Sequence, residues 1–245
     1  MYSLDFSGKT VLVVGGSSGI GNGIAQAFHS CGATVYVWGT RGSAADYSKA
    51  EGSNLAHLHY SRVDVGDLDA IESYVNPFNE LDVLVLAQGT VIYKRGEFNM
   101  AGFKRVIDVN LVSLMACSLK YHDMLAEARG SLITIGSTAA FQATIGNPAY
   151  NASKTGVVGL TRTLAAAWAK EGIRVNSIAP GLVETKLTRV TTGNAQRLEA
   201  AIGSIPAGRL GTPDDVAGAA LYLASPLAMY VIGHTLPVDG GLILA

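Results

Sequence analysis

The stretch Thr10-Val11-Leu12-Val13-Val14-Gly15-Gly16-Ser17-Ser18-Gly19-Ile20-Gly21 decides the fold of this chain. Thr10 to Val14 is β-branched and almost wholly apolar, the composition of a strand buried on both faces. From residue 19 onward Ile20, Ile24, Ala27 and Phe28 recur at helical spacing, which predicts a helix over residues 19–31. Between strand and helix lies a glycine loop. Gly15 permits the turn out of the strand, Gly19 lets a phosphate approach the backbone, and Gly21 lets the helix pack against the sheet. The helix N-terminus offers unpaired N–H groups and a partial positive charge to a pyrophosphate. Ser17 and Ser18 add hydroxyl donors, and Ile20 lies between the last two glycines. The spacing is Gly-x-x-x-Gly-x-Gly, which differs from the common Gly-x-Gly-x-x-Gly fingerprint. A glycine-rich turn with no ligand is the plainer alternative.

Outward from this unit, strands and helices alternate. Strands are predicted at 34–38, 57–62, 81–87, 131–136, 173–178 and 234–238. Helices are predicted at 67–75, 100–127, 149–170 and 213–224, with a short one near 43–50. Pro77 disfavours helix at Asn76 and so ends the 67–75 helix. Residues 181–212 read as a mobile segment with one or two short helices. This alternation implies an α/β fold, a parallel sheet with helices on both faces and right-handed crossovers. No Pro/Ser-rich linker, charge run or repeat divides residues 1–245, so one domain is expected.

Composition narrows the function. Of 245 residues, 49% are hydrophobic and 15% charged, which excludes a disordered tail, a coiled coil and a collagen-like fibre. The formal net charge is −1, too small for the basic field that nucleic acid or an anionic membrane requires. No stretch approaches the ~18 apolar residues of a membrane span. The start MYSLDFSGKT lacks an apolar core followed by a cleavage site. Cys31 and Cys117 provide no disulfide framework and read as small buried hydrophobes. A cytoplasmic protein is expected.

Tyr150 and Lys154 stand four residues apart near the start of the 149–170 helix, hence on one face. A free tyrosine, with a pKa near ~10, is a poor acid–base catalyst at neutral pH, and a nearby ammonium lowers that value. Ser137 follows the 131–136 strand, at the carboxyl edge where parallel sheets bind ligands. Alone, the pair is equally a partly buried tyrosine beside a solvated lysine.

Together these motifs resemble the short-chain dehydrogenase/reductase family over essentially the whole chain. The resemblance rests on Gly15, Gly19 and Gly21, Asp64-Val65, Asn110, Ser137, Tyr150-Asn151-Ala152-Ser153-Lys154, Asn176, Pro180-Gly181 through Thr185, and Val238-Asp239-Gly240-Gly241. Gly208-Arg209-Leu210-Gly211-Thr212-Pro213 is similar to 3-oxoacyl-carrier-protein reductases and related ketone reductases and alcohol dehydrogenases. The resemblance implies a single doubly wound Rossmann-type domain with about seven parallel strands. It also implies an NAD(P)(H)-dependent oxidoreductase interconverting a ketone and a secondary alcohol. Tyr150 would be the general acid or base. Lys154 would lower its pKa and bind the nicotinamide ribose, Ser137 would polarise the carbonyl, and Asn110 would hold a water linking Lys154 to solvent. Asp64 and the Val65 backbone would meet the adenine; Val183 and Thr185, beside Pro180 and Gly181, would grip the carboxamide. A homotetramer is implied. The alternatives are a 3-oxoacyl-carrier-protein reductase and a non-catalytic dinucleotide sensor; an intact Ser137, Tyr150 and Lys154 set disfavours the sensor.

The chain departs from the family's usual pattern at Val14, commonly Thr, and at Leu86-Ala87-Gln88-Gly89, commonly Asn-Asn-Ala-Gly. Packing is expected to replace a polar tie between these strands, with Gln88 either beside the cofactor or facing outward. Where an acid would bind the ribose 2′-OH stands Gly39, followed by Thr40 and Arg41. This favours NADP(H), with Arg41 available to the 2′-phosphate and NAD(H) the second choice. His57 and His59 read as a surface pair on one strand face. Phe141, Ile145, Leu182, Leu187, Leu198 and Ile202 are candidates for an apolar substrate pocket.

Overall fold

A computed structural model describes residues 4–244. Strand β1 (Thr10–Val14) leads into helix α1 (Gly19–Ser30) and strand β2 (Thr34–Gly39). Then follow β3 (His59–Arg62), α2 (Leu68–Ser73) and β4 (Val83–Leu86). The next crossover carries α3 (Met100–Ile107), a π-helical turn (Asp108–Val112), α4 (Ser113–Lys120) and α5 (His122–Ala128). Strand β5 (Ser131–Ile135), helix α6 (Pro148–Trp168) and β6 (Arg174–Pro180) come next. The chain continues through α7 (Arg189–Thr192), α8 (Ala195–Gly203), α9 (Pro213–Ala224) and β7 (Thr235–Val238).

The seven strands lie in the order β3-β2-β1-β4-β5-β6-β7 and all pair in parallel. Side chains alternate across the sheet and divide the core in two. Val11, Val13, Val35 and Val85 pack with Ile24 and Phe28 of α1 and Val216 and Ala220 of α9. Leu12, Val14, Leu84 and Leu132 pack on the opposite face with Leu114 and Cys117 of α4 and Val157 and Leu164 of α6. Each fully buried aliphatic side chain contributes roughly 1.5–3 kcal/mol. Strand order reverses direction at β1, and β1 and β4 open there into a crevice at their carboxyl ends, where parallel sheets bind ligands.

Helix ends follow local chemistry. Asp67 caps α2 by accepting from the N–H groups of Asp69 and Ala70, and Thr212 and Asp215 form a capping box ahead of Pro213 at the start of α9. The single helix expected over 100–127 is divided. The π turn interrupts it at Asn110, and the backbone leaves helical geometry at Tyr121, whose hydroxyl donates to Asn76 Oδ1 at 2.8 Å. The histidine pair is also corrected. Strand β3 begins only at His59, and His57 adopts a positive φ of 64° outside it. His57 stacks on His29 and His59 on Tyr36.

No helix among the described residues is long and apolar enough to cross a membrane. Among them, too, no group of three or more His, Cys, Asp or Glu residues is placed to hold a metal.

Candidate active site

The glycine loop forms the floor of a cleft of about 400 Å³ at the carboxyl edge of the sheet. Gly15 has φ 76°, and a Cβ there would stand 2.8 Å from the Gln88 backbone nitrogen. A Cβ at Gly21 would collide with the Gly15 carbonyl. Both glycines are therefore required by close backbone approach. Ser17, Ser18, Gly19 and Ile20 complete the floor. Thr40 lines the cleft beyond β2, Asp64 and Val65 beyond β3, and Ala87, Gln88 and Gly89 beyond β4. Pro180, Gly181, Val183 and Thr185 line its far side. A cleft at a helix N-terminus, with Gly15 and Gly21 leaving the backbone close to its floor, fits a dinucleotide.

Ser137, Tyr150 and Lys154 face the same cleft. Ser137 follows β5, and its Oγ accepts from the Ala139 N–H at 3.1 Å. Tyr150 sits in the first turn of α6. Burial pushes its phenol above the ordinary tyrosine value, against a hydrogen bond from Ser137 that lowers it. Lys154 is buried, and its Nζ donates to the Ile135 carbonyl at 2.7 Å and stands 5.7 Å from the centre of the Tyr150 ring. Burial lowers its pKa from 10.5 to about 8.

Asn110 lies behind this set, inside the π turn, a device frequent at functional sites. Its Oδ1 accepts from the Thr90 N–H at 2.7 Å, and its Nδ2 donates to the Thr90 carbonyl and to Ser153 Oγ. Ser153 Oγ in turn donates to the Tyr150 carbonyl at 2.8 Å. A Cβ on Gly89 would stand 3.7 Å from both Asn110 Oδ1 and Lys154 Nζ, so these two atoms border one space.

Glu97 is the principal residue that sequence reasoning misses. It is 1% exposed, and among the described residues no cation pairs with it. Its Oε2 accepts from the Tyr150 N–H at 2.9 Å, and its Oε1 accepts from Ile92 N–H and Asn147 Nδ2. Asn147 precedes α6 but makes no side-chain cap bond, so Glu97 supplies that cap from another part of the chain.

Val14 and Leu86 are register partners, both fully buried, so packing does replace a polar tie between β1 and β4. Gln88 points inward: its Nε2 donates to Ser113 Oγ at 3.1 Å, while Oε1 is buried without a partner. Arg41 does not line the cleft. Its guanidinium pairs with Glu51 at 2.7 Å, donates to the Asp46 carbonyl and lies over the Tyr47 ring. Cleft residues that sequence reasoning misses include Arg105, 3.7 Å from Asp64, and Lys186. Of the apolar candidates, Leu187 alone lines this cleft and Leu182 lines a second cavity. Phe141 and Ile145 are exposed and do not line the cleft. Tyr93 donates from its hydroxyl to the Leu187 carbonyl at 2.6 Å, tying residues 186–188 to the loop after β4. Cys117 is buried and its thiol is pushed up to about 12, which makes it unreactive.

This fold and cleft define a parallel α/β protein of the doubly wound class with a site that fits a nucleotide. Residues 14–243 match the family described as enoyl-(acyl carrier protein) reductase. The chain is 38% identical to the 3-oxoacyl-(acyl-carrier-protein) reductase FabG of Chlamydia pneumoniae over 96% of this chain and 97% of that one. It is 37% identical to the 2-dehydro-3-deoxy-D-gluconate 5-dehydrogenase of Bacillus subtilis, over 98% and 96% respectively. A putative 2-deoxy-D-gluconate 3-dehydrogenase from Agrobacterium tumefaciens, solved with bound NADP, superimposes with a TM-score of 0.86 at 35% identity over 99% of both chains. The protein belongs to the short-chain dehydrogenase/reductase family, a family of NAD(P)-dependent oxidoreductases.

Two predictions follow from the buried charges. Glu97→Ala leaves the N–H groups of Ile92 and Tyr150 without their acceptor, each worth about 1–3 kcal/mol. Urea unfolding should show a loss of about 2–4 kcal/mol, and an unchanged midpoint would contradict the capping role. The folded pKa of Lys154 lies below its unfolded value, so the cost of burying its charge is full below pH 8 and disappears between pH 8 and 10.5. Lys154→Met should gain stability relative to wild type at pH 7 compared with pH 10, by an amount of order 3 kcal/mol. A difference independent of pH would contradict a charged, buried Lys154.

Proposed function

We propose that the protein interconverts a ketone and a secondary alcohol with a nicotinamide dinucleotide, NADP(H) being the preferred coenzyme and NAD(H) the second. The observation that carries this reading is the convergence of Ser137, Tyr150 and Lys154 on the cleft whose floor is the glycine loop. A sensor needs no such proton-transfer set. The lack of an acid at Gly39, the cation Lys186 on the cleft lining, and the NADP bound by the Agrobacterium relative support the coenzyme assignment.

In this reading the bound nicotinamide supplies or accepts the hydride. The chain supplies position and the proton. Tyr150 keeps its proton at neutral pH, because burial raises its pKa, and gives it to the carbonyl oxygen during reduction. Ser137 donates a hydrogen bond to the same oxygen and steadies the phenol. Lys154 places positive charge behind Tyr150, stabilising the phenolate once the proton has left. The free lone pair of Asn110 Oδ1 borders the space next to the Lys154 ammonium and can hold the water that returns a proton from solvent. Asp64 and Val65 take the adenine end, Val183 and Thr185 the carboxamide, and residues 181–212 close over the substrate.

Among substrate classes, 3-oxoacyl thioesters and keto acids derived from sugars are the first to test, because relatives named for each match along nearly the whole chain. Tyr150→Phe should lower turnover of an accepted ketone on the order of a thousandfold while coenzyme affinity changes less than about threefold. Retained turnover would overturn the proton-transfer role. The assembly is proposed to be a homotetramer. Met229 and Tyr230 are 69% and 102% exposed, apolar surface that association can bury. Light scattering at micromolar concentration should give four times the 25.5 kDa chain mass, and a monomer would contradict this.

A further inference from the structure

We infer that Glu51 acts as an internal competitor for a coenzyme 2′-phosphate: its carboxylate holds Arg41 and Lys186 beside the end of β2 and thereby sets the preference between NADP(H) and NAD(H). This rests on the reading that the cleft binds a nicotinamide dinucleotide.

The 2′ substituent of the adenosine ribose falls at the end of the second strand of such a fold. In this chain that strand ends at Gly39. A Cβ there would lie 2.5 Å from Tyr47 Oη and 2.6 Å from Ser17 Oγ, so an acid at this position would have to push both side chains aside. The donors at the strand end already share one acceptor: the N–H groups of Thr40 and Arg41 each point to Tyr47 Oη at 3.1 Å. The two cations are shared in the same way. Glu51 Oε2 lies 2.7 Å from Arg41 Nη1 and 3.3 Å from Lys186 Nζ. Lys186 comes from the segment after β6, so this one carboxylate ties that segment to the residues just past β2.

The segment bearing Glu51 is fixed to the glycine loop. The Gly52 carbonyl accepts from the Gly19 N–H at 3.1 Å. Asn22 of α1 brackets Asn54, donating to its carbonyl and accepting from its N–H, each at 2.8 Å. The hydrogen bond from Arg41, then that from Lys186, holds the Glu51 carboxyl at about 2, so the charge is present throughout the neutral range. A phosphate arriving at the strand end meets two cations already neutralised in part by a fixed anion. A ribose 2′-OH, being uncharged, is nearly indifferent to that anion.

Glu51→Gln removes the charge and keeps the shape. Coenzyme fluorescence titrations of wild type and variant with NADPH and with NADH test the inference. The variant should bind NADPH about tenfold more tightly and NADH within about twofold of wild type, and the gain should shrink at high ionic strength. Unchanged affinities, or an equal change for both coenzymes, would overturn the role of Glu51. Failure of the wild type to bind either coenzyme would instead overturn the dinucleotide reading on which it stands. Unaltered NADH binding also reports that the variant remains folded.

Discussion

The parallel pairing of β1 with both β2 and β4 is the constraint on which the site depends. Val14 is register partner to Trp38 on one side and Leu86 on the other, so three strands end together. That common edge brings Gly15, Gly39 and Gln88 to one cleft. Backbone hydrogen bonds join these strands, the Ala87 N–H donating to the Val14 carbonyl at 2.9 Å, and apolar packing of the fully buried Val14 and Leu86 side chains adds to them. The space left at the edge admits only glycine at two close backbone approaches, Gly15 to Gln88 and Gly21 to Gly15. A substitution at either would have to separate β1 from β4 or lift α1 from the sheet.

Around Tyr150 the chain maintains two buried charges of opposite sign without pairing them. Glu97 accepts the Tyr150 N–H from one side, and Lys154 donates to the Ile135 carbonyl on the other. Each is satisfied by backbone groups, which limits the cost of burial. Asn110 and Ser153 add a third path to the Tyr150 backbone. The start of α6 is thus anchored by the loop after β4, by the π turn and by the end of β5. Such multiple anchoring suits the proton-donor role proposed for Tyr150, because small errors of position are costly in rate.

The sheet and the cleft floor were legible in the sequence because both are local. A β-branched run followed by glycines and a helical period specifies β1, the loop and α1 without reference to the rest of the chain. Helix α9 is equally local: Thr212, Pro213 and Asp215 mark its start, and its expected span of 213–224 matches Pro213–Ala224. The side chains whose roles depend on distant partners were not legible. Nothing in the local sequence marks Glu97 until the fold brings Tyr150 to it, 53 residues away. Arg41 reads as a free cation until Glu51 and Lys186 meet it. The π turn has no periodicity signal, since one extra residue in a turn barely alters the apolar spacing on either side. Apolar residues in loops, such as Phe141 and Ile145, carry no period, and their direction was undetermined.

Glu51 and Lys154 give the two ends of the cleft different electrostatic tasks. At one end a fixed anion moderates a pair of cations; at the other a buried cation stands behind a phenol. The central claim is that this arrangement directs a hydride between nicotinamide and a carbonyl carbon. The direct measurement uses NADPH deuterated at the transferring position of C4, incubated with the wild-type protein and an accepted ketone, with the product examined by mass spectrometry. The account predicts an alcohol one mass unit heavier, with the deuterium on the carbinol carbon. An unlabelled or isomerised product, formed with the coenzyme unconsumed, would contradict it.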